Sequence, residues 1–347
     1  MEHSYAYLVR KSKVGRGLRS RIERIADHAL DRTTTLIGSV PDIVVRLHVA
    51  EQTNFQAEAT FEGDDIVIRL SQGAVDQLDG SWAAVREGWR SVLEPWPFVQ
   101  NGHSIATPEW LADLSLEWLI LHELTHVQLG HLRMLGCAPL VEIAAVSAPA
   151  VQLDDVLSPS ELPLARLCAE LQADSEASDI LFGPFKDAHW LELRAKAACV
   201  VAVIALIEQA DAESGAPGAT HPMASTRFFL LLVQLCQYWL YEDARLETDG
   251  VQSWVRTANP PDPELYRRYR EKIIEPVILD AVRIAEAARA KSLVAQLRNP
   301  LALLSDLSEA QYAEDLAEAN LQSAPARQWR DLLLINEKVM TAMGYRG

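Results

Sequence analysis

The stretch Leu111–Leu135, LADLSLEWLILHELTHVQLGHLRML, decides how the chain is read. Its apolar residues recur at helical spacing, Gly130 marks a natural break, and His122-Glu123-Leu124-Thr125-His126 stands at its centre. Residues four apart share one face of an α-helix, so the two imidazoles aim at one point with Glu123 beside them. Neutral imidazole nitrogens bind Zn²⁺, the ion lowers the pKa of a bound water, and a neighbouring carboxylate can take the proton; this is the chemistry behind H-E-x-x-H. Such a short pattern also arises by chance on surface helices. Here Trp118-Leu119-Ile120-Leu121 precede it and Val127 and Leu129 follow it, which predicts a largely buried helix. Burying two histidines and a glutamate without a partner is costly, and a metal resolves the conflict.

A catalytic zinc takes three protein ligands and keeps a fourth position open. A third histidine six residues after the second, in H-E-x-x-H-x-x-G-x-x-H, is one source. In this chain His131 follows His126 by five residues, so that spacing fails, and His131 reads as a capping or supporting histidine near the helix end. The other source is a glutamate from a later helix. Cys168-Ala169-Glu170-Leu171-Gln172-Ala173-Asp174 supplies one 44 residues after His126. Glu170 and Asp174 share a helical face, so Glu170 can ligate while Asp174 accepts a hydrogen bond from a ligand histidine and sets its tautomer. The small Ala173 and Ala177 allow two helices to approach closely. By itself the string Glu-x-x-Ala-Asp also suits a solvated helix face.

Outward from this centre, residues 16–37 and 74–93 read as helices. Ile43–Val49 reads as a strand, and Phe55–Glu62 and Ile66–Leu70 form a hairpin across Gly63-Asp64-Asp65. Four prolines make 138–163 an irregular excursion. Beyond it the pattern predicts helices near 164–182, 188–214, 223–247, 263–296 and 308–341, with Pro260-Pro261-Asp262-Pro263 as a linker. A small early sheet followed mostly by helix is a predominantly helical α+β arrangement. It divides into a catalytic-type domain over 1–258 and a C-terminal helical extension over 264–347 that can pack on the first as one unit.

Composition narrows the classes further. With 49% apolar and 23% charged residues, the 347-residue chain has ample material for a core. A net charge of -16 makes nucleic acid and anionic membrane surfaces poor partners. Cys137, Cys168, Cys199 and Cys236 form no C-x-x-C pair, which points to a reducing cytoplasm rather than a disulfide framework. The first thirty residues lack the apolar segment of a secretory signal. The longest mainly apolar stretch, Ala195–Ile207, broken only by Lys196, is short of the roughly 20 residues a membrane helix needs and reads as a buried helix.

HELTH followed by Glu170-Leu-Gln-Ala-Asp174 resembles the gluzincin zinc metallopeptidases. The nearest branch contains the CAAX prenyl endopeptidases and the bacterial heat-shock membrane proteases. That branch carries a downstream histidine-proline element with an arginine six residues beyond the histidine, and Thr220-His221-Pro222-Met223-Ala224-Ser225-Thr226-Arg227 has this spacing. Upstream, Asn54-Phe55-Gln56-Ala57 and Ile66–Leu70 with Gly73 look like its N-x-F-A segment and edge strand, although a plain structural hairpin fits the pattern equally well. The likeness covers about residues 40–235. It implies a zincin-like fold with one Zn²⁺ on His122, His126 and Glu170, Glu123 as general base and His221 steadying the oxyanion. It further implies Asp174 and Arg227 in support, and a substrate strand laid beside Asn54, Ala57, Ile66 and Ile68. The members of that branch are mostly integral membrane proteins, whereas this chain lacks their spans and is similar to soluble minimal versions. A weaker likeness is to phage-repressor-cleaving and phage-exclusion metallopeptidases. The expectation is a zinc-dependent endopeptidase acting on a protein or peptide; the alternatives are a zinc-binding pseudo-peptidase that engages a partner without cutting it, and a helical interaction protein in which HELTH is accidental. The Trp-rich segment 82–110 reads as core packing before it reads as a cleft lining.

Overall fold

The computed structural model describes residues 16–37, 45–62, 65–91, 98–100, 103–104, 106–135, 153–183, 189–215, 221–238, 241–248, 251–256, 263–313 and 315–342. The expected turn at Gly63-Asp64, most of the proline-rich excursion, Pro260–Asp262, Cys137, Trp96 and the chain's first fifteen residues lie outside them. The chain folds as a predominantly helical α+β protein. Helix α1 (Arg16–Ile37) leads into β1 (Val45–Ala50), β2 (Ala57–Glu62) and β3 (Asp65–Ser71), followed by α2 (Gln72–Ser91).

The sheet order is β1-β3-β2, with β1 parallel and β2 antiparallel to β3. Strand β3 is therefore paired along both sides. This corrects one expectation: Ile66 and Ile68 stand in the central strand, 4% and 2% exposed, and cannot offer their main chain to a substrate. The hairpin pattern is satisfied by β2 and β3 alone, and nothing local announces that β1 closes the far side. The edge beside the hairpin is β2, which holds Ala57.

Ser71 fastens the sheet to α2. Its hydroxyl accepts from the amide of Ala74, capping the helix, accepts from Gln56 N–H and donates to the Asn54 carbonyl. Gly73 N–H donates to Gln52 O at 2.7 Å, and a Cβ on Gly73 would fall inside contact distance of the Thr53 and Asn54 carbonyls. Gly73→Ala is thus expected to cost about 1–3 kcal/mol in a urea unfolding titration, because main chain rather than a flexible side chain must move. An unchanged midpoint would show that segment 52–54 yields freely.

After β4 (Val99–Gln100) and β5 (His103–Ser104), Thr107 caps α3 (Pro108–Gln128) by accepting from Trp110 N–H, with Pro108 in the first turn. Every residue from Leu114 to Val127 is buried. Around α3 pack α1, α2, β2, α5 (Ala165–Phe182) and α6 (Trp190–Ser214). The helix stops where Gly130 takes φ 71°, and the one-turn α4 (His131–Met134) follows. The stretch Ala195–Ile207, apolar but for Lys196, is buried throughout within α6, so its hydrophobicity serves the core, and Lys196 donates to the Phe182 carbonyl. Trp82 and Trp89 are core residues too; the Trp82 indole donates to Ser115, and the Arg283 guanidinium stacks over Trp89.

Helix α7 (Ala224–Tyr238) stops short of the helix expected over 223–247. A hairpin follows, β6 (Tyr241–Thr248) paired with β7 (Val251–Arg256). The C-terminal part also divides differently from the expected 263–296 and 308–341. It runs α8 (Pro263–Tyr269), a π-turn over Arg270–Ile274, α9 (Glu275–Ala287), α10 (Lys291–Leu297), α11 (Pro300–Tyr312) and α12 (Ala324–Ala342). Arg289, at φ 58°, ends α9, and Asn299 opens α11 by accepting from Ala302 N–H just before Pro300. These helices share the core of the rest: one apolar cluster runs from Ile22 to Trp329. Helix α12 sets Leu332, Ile335 and Val339 against Leu167, Cys168 and Leu171 of α5.

Candidate metal centre

Two neighbouring helices build the site. Helix α3 presents His122, Glu123 and His126, and α5, which packs along it, presents Glu170 and Asp174. Ala173 and Ala177 of α5 are fully buried. One donor atom each from His122, His126 and Glu170 lies within 4.8 Å of the others. The edges of this triangle are 3.1 Å between the Nε2 atoms of His122 and His126, 3.3 Å from His122 Nε2 to Glu170 Oε2 and 3.6 Å from His126 Nε2 to Glu170 Oε1. A tetrahedral ion with bonds near 2.0–2.1 Å has ligand-to-ligand edges of about 3.3 Å, so the donors already stand at the spacing one small dication requires. Glu170 Oε2 is buried and finds no hydrogen-bond partner among the described residues, as a ligand atom awaiting its ion should. On both counts the residues fit a metal.

The electrostatics agree. Burial alone would raise the Glu170 pKa, but the adjoining imidazoles of His122 and His126 hold it well below the usual carboxylate range. Burial alone would lower His122, yet the carboxylates of Asp174 and Glu170 outweigh it and lift that imidazole well above its ordinary value. The pocket thus draws in positive charge, and a dication meets the same demand by displacing the proton. His122 Nδ1 lies 3.0 Å from Asp174 Oδ1, off the ideal hydrogen-bond line. Asp174 is gripped in turn by Arg227 of α7, whose Nε and Nη2 donate to its two oxygens at 2.6 Å each. Burial raises the Asp174 pKa, and Arg227 with His122 brings it below its ordinary value.

His221 opens the short segment before α7. Its Nε2 is 3.8 Å from Glu170 Oε2, and its Nδ1 is 3.2 Å from both carboxylate oxygens of Asp211 near the end of α6. Half-buried, it is the most exposed member of the group. Gln328 of α12 pins this approach by accepting from Met223 N–H at 3.1 Å and from the Thr226 hydroxyl at 2.6 Å. Glu123 is buried beside His122. His131, at 1% exposure, sits against His126, Nδ1 to Nδ1 at 3.0 Å, and burial foremost drives its pKa down to about 3.

The structure therefore gathers His122, Glu123, His126, Glu170, Asp174, His221 and Arg227 in one place. Asn54 and Ala57 stand apart on the β2 side; the Asn54 side chain donates to Gln56, and β2 packs against α3. Ile66 and Ile68 are excluded as above. Asp211, Gln172 and Gln328 escaped the sequence reading, since no local pattern marks an acid at the end of an apolar helix or an amide reaching in from the last helix. No protein-family model, no curated protein and no solved structure matches this chain.

Proposed function

We propose that the chain is a zinc-dependent endopeptidase of the gluzincin kind. The observation that supports this reading best is the buried His122–His126–Glu170 triangle, with donor edges of 3.1–3.6 Å and Glu123 next to His122 on α3. Two imidazoles and one carboxylate are a ligand set suited to Zn²⁺. When bound, the ion supplies a Lewis acid for the scissile carbonyl and a water whose pKa falls to roughly 7. Glu123 takes the proton of the attacking water and returns it to the leaving amine. His221 donates from Nε2 to the developing oxyanion. Asp211, whose two carboxylate oxygens lie 3.2 Å from Nδ1, orients the ring for this role. Asp174, backed by Arg227, holds the His122 ring with its Nε2 toward the ligand position. The outer edge of β2, unpaired among the described residues, is where an extended protein or peptide substrate adds as a strand.

Among the described residues no helix is long and apolar enough to cross a membrane. Cys168, Cys199 and Cys236 are buried thiols, which supports a working place in the reducing cytoplasm. One observation favours the runner-up, a zinc protein that binds a partner without cutting it: Glu123 is only 8% exposed, so water reaches it poorly.

Metal removal tests both. The purified chain is expected to carry one zinc and to hydrolyse an unfolded substrate such as casein. A chelator should abolish the activity, and added zinc should restore it. Stoichiometric zinc with no cleavage of casein or a peptide library selects the partner-binding reading; no zinc overturns both.

A further inference from the structure

We propose that His131 and Gln172 form a neutral hydrogen-bond relay that locks His126 in its metal-binding tautomer; this rests on the metal site described above. A neutral imidazole carries one proton on either of two nitrogens, and only the bare one can ligate. His126 points Nε2 at His122 and Glu170, so its proton must sit on Nδ1. Its Nδ1 faces the Nδ1 of His131 at 3.0 Å, and in a pair of like atoms exactly one can donate. Taken alone, the two histidines leave that choice open.

Gln172 closes it. Its Oε1 stands 3.1 Å from His131 Nε2, and an amide oxygen only accepts. His131 therefore carries its proton on Nε2 and offers a lone pair at Nδ1. His126 must donate from Nδ1, which leaves its Nε2 bare toward the ligand triangle. Reversing the Gln172 amide would invert every step and protonate His126 Nε2, leaving that nitrogen unable to ligate. His131 is 1% exposed, and little room remains for water to replace a lost partner.

The chain break explains how a histidine at a failed metal spacing reaches this position. In an uninterrupted helix, five residues on from His126 lies about 140° around the axis. Gly130, at φ 71°, ends α3 and starts α4, which brings His131 back against His126. Helix α5 then serves both ligand histidines: Asp174 orients His122 as an anion, and Gln172 orients His126 through a neutral ring. Neutrality has a reason. A dication and Arg227 balance Glu123, Glu170 and Asp174, and a second anionic orienter would leave the buried cluster with uncompensated charge.

The test compares zinc affinity, by chelator competition on the full chain, for His131→Leu, Gln172→Leu and His131→Asn, with circular dichroism as the folding control. Both leucine variants are expected to bind zinc 10–100-fold more weakly. His131→Asn, whose Oδ1 can take the place of Nδ1, is expected to recover most of the loss, which a merely space-filling histidine would not predict. Ring-nitrogen NMR of the zinc-loaded parent should find His126 protonated at Nδ1 and His131 at Nε2, a result independent of whether any variant folds. Parent-like affinity in His131→Leu, or a proton on His131 Nδ1, overturns the relay while leaving the metal site standing. A parent chain that binds no zinc overturns the site itself, and the relay with it.

Discussion

Glu123→Gln is expected to keep one zinc per chain and the parent's thermal stability while lowering hydrolysis by about 10²–10⁴-fold, the range a positioned general base contributes. The replacement is nearly isosteric, so α3 keeps its packing in a segment where every residue from Leu114 to Val127 is buried. The amide can still hydrogen-bond but cannot take up the proton of the attacking water. The ligands His122, His126 and Glu170 are untouched, so zinc content separates chemical loss from structural loss. The measurement is casein cleavage with zinc quantified on the same preparation. Cleavage at the parent rate would remove Glu123 from the role of base. A variant that lost its zinc would instead assign Glu123 to building the site.

Arg227→Met is expected to cost about 3–5 kcal/mol in urea unfolding, the usual effect of stranding one member of a buried ion pair. Arg227 and Asp174 are 1% and 2% exposed, and their two 2.6 Å hydrogen bonds join α7 to α5. Without the guanidinium, the Asp174 carboxylate stays buried with only His122 to answer it. A loss of this size is a large part of the roughly 5–15 kcal/mol by which a folded protein exceeds its unfolded state. The double variant Asp174→Asn with Arg227→Met removes both charges and is expected to be more stable than Arg227→Met alone; that non-additivity measures the pair. A single variant within 1 kcal/mol of the parent would show that water or a proton answers Asp174 readily, and that the pair does not hold α7 in place.

Much of this architecture is legible in the chain because its signals are local. Periodicity locates α1, α2, α5 and α6 to within a few residues, and Gly130, at positive φ, marks the end of α3. The helix expected over 223–247 runs on into β6 because the mixed residues there suit either period. The turn dipeptide Asp249-Gly250 between the strands was the signal that could have revealed the hairpin. The pattern leaves 297–307 without an element and runs 308–341 as one helix, where α11 and α12 stand apart; Asn299-Pro300 is a helix opening as well as a break.

The HELTH pair shows where the boundary falls. By itself the sequence determined that His122 and His126 share a helical face with Glu123 beside them, since a four-residue spacing is settled by backbone geometry within one element. The same rule joined Glu170 to Asp174 on a second helix. Only the tertiary structure decided which atoms meet across helices: Glu170 against both imidazoles, Arg227 on Asp174, Asp211 behind His221, Gln172 behind His131, and β1 on the far side of β3. Those contacts join residues distant in the chain. They are set by how whole apolar faces pack and how strands order themselves, and neither leaves a local pattern.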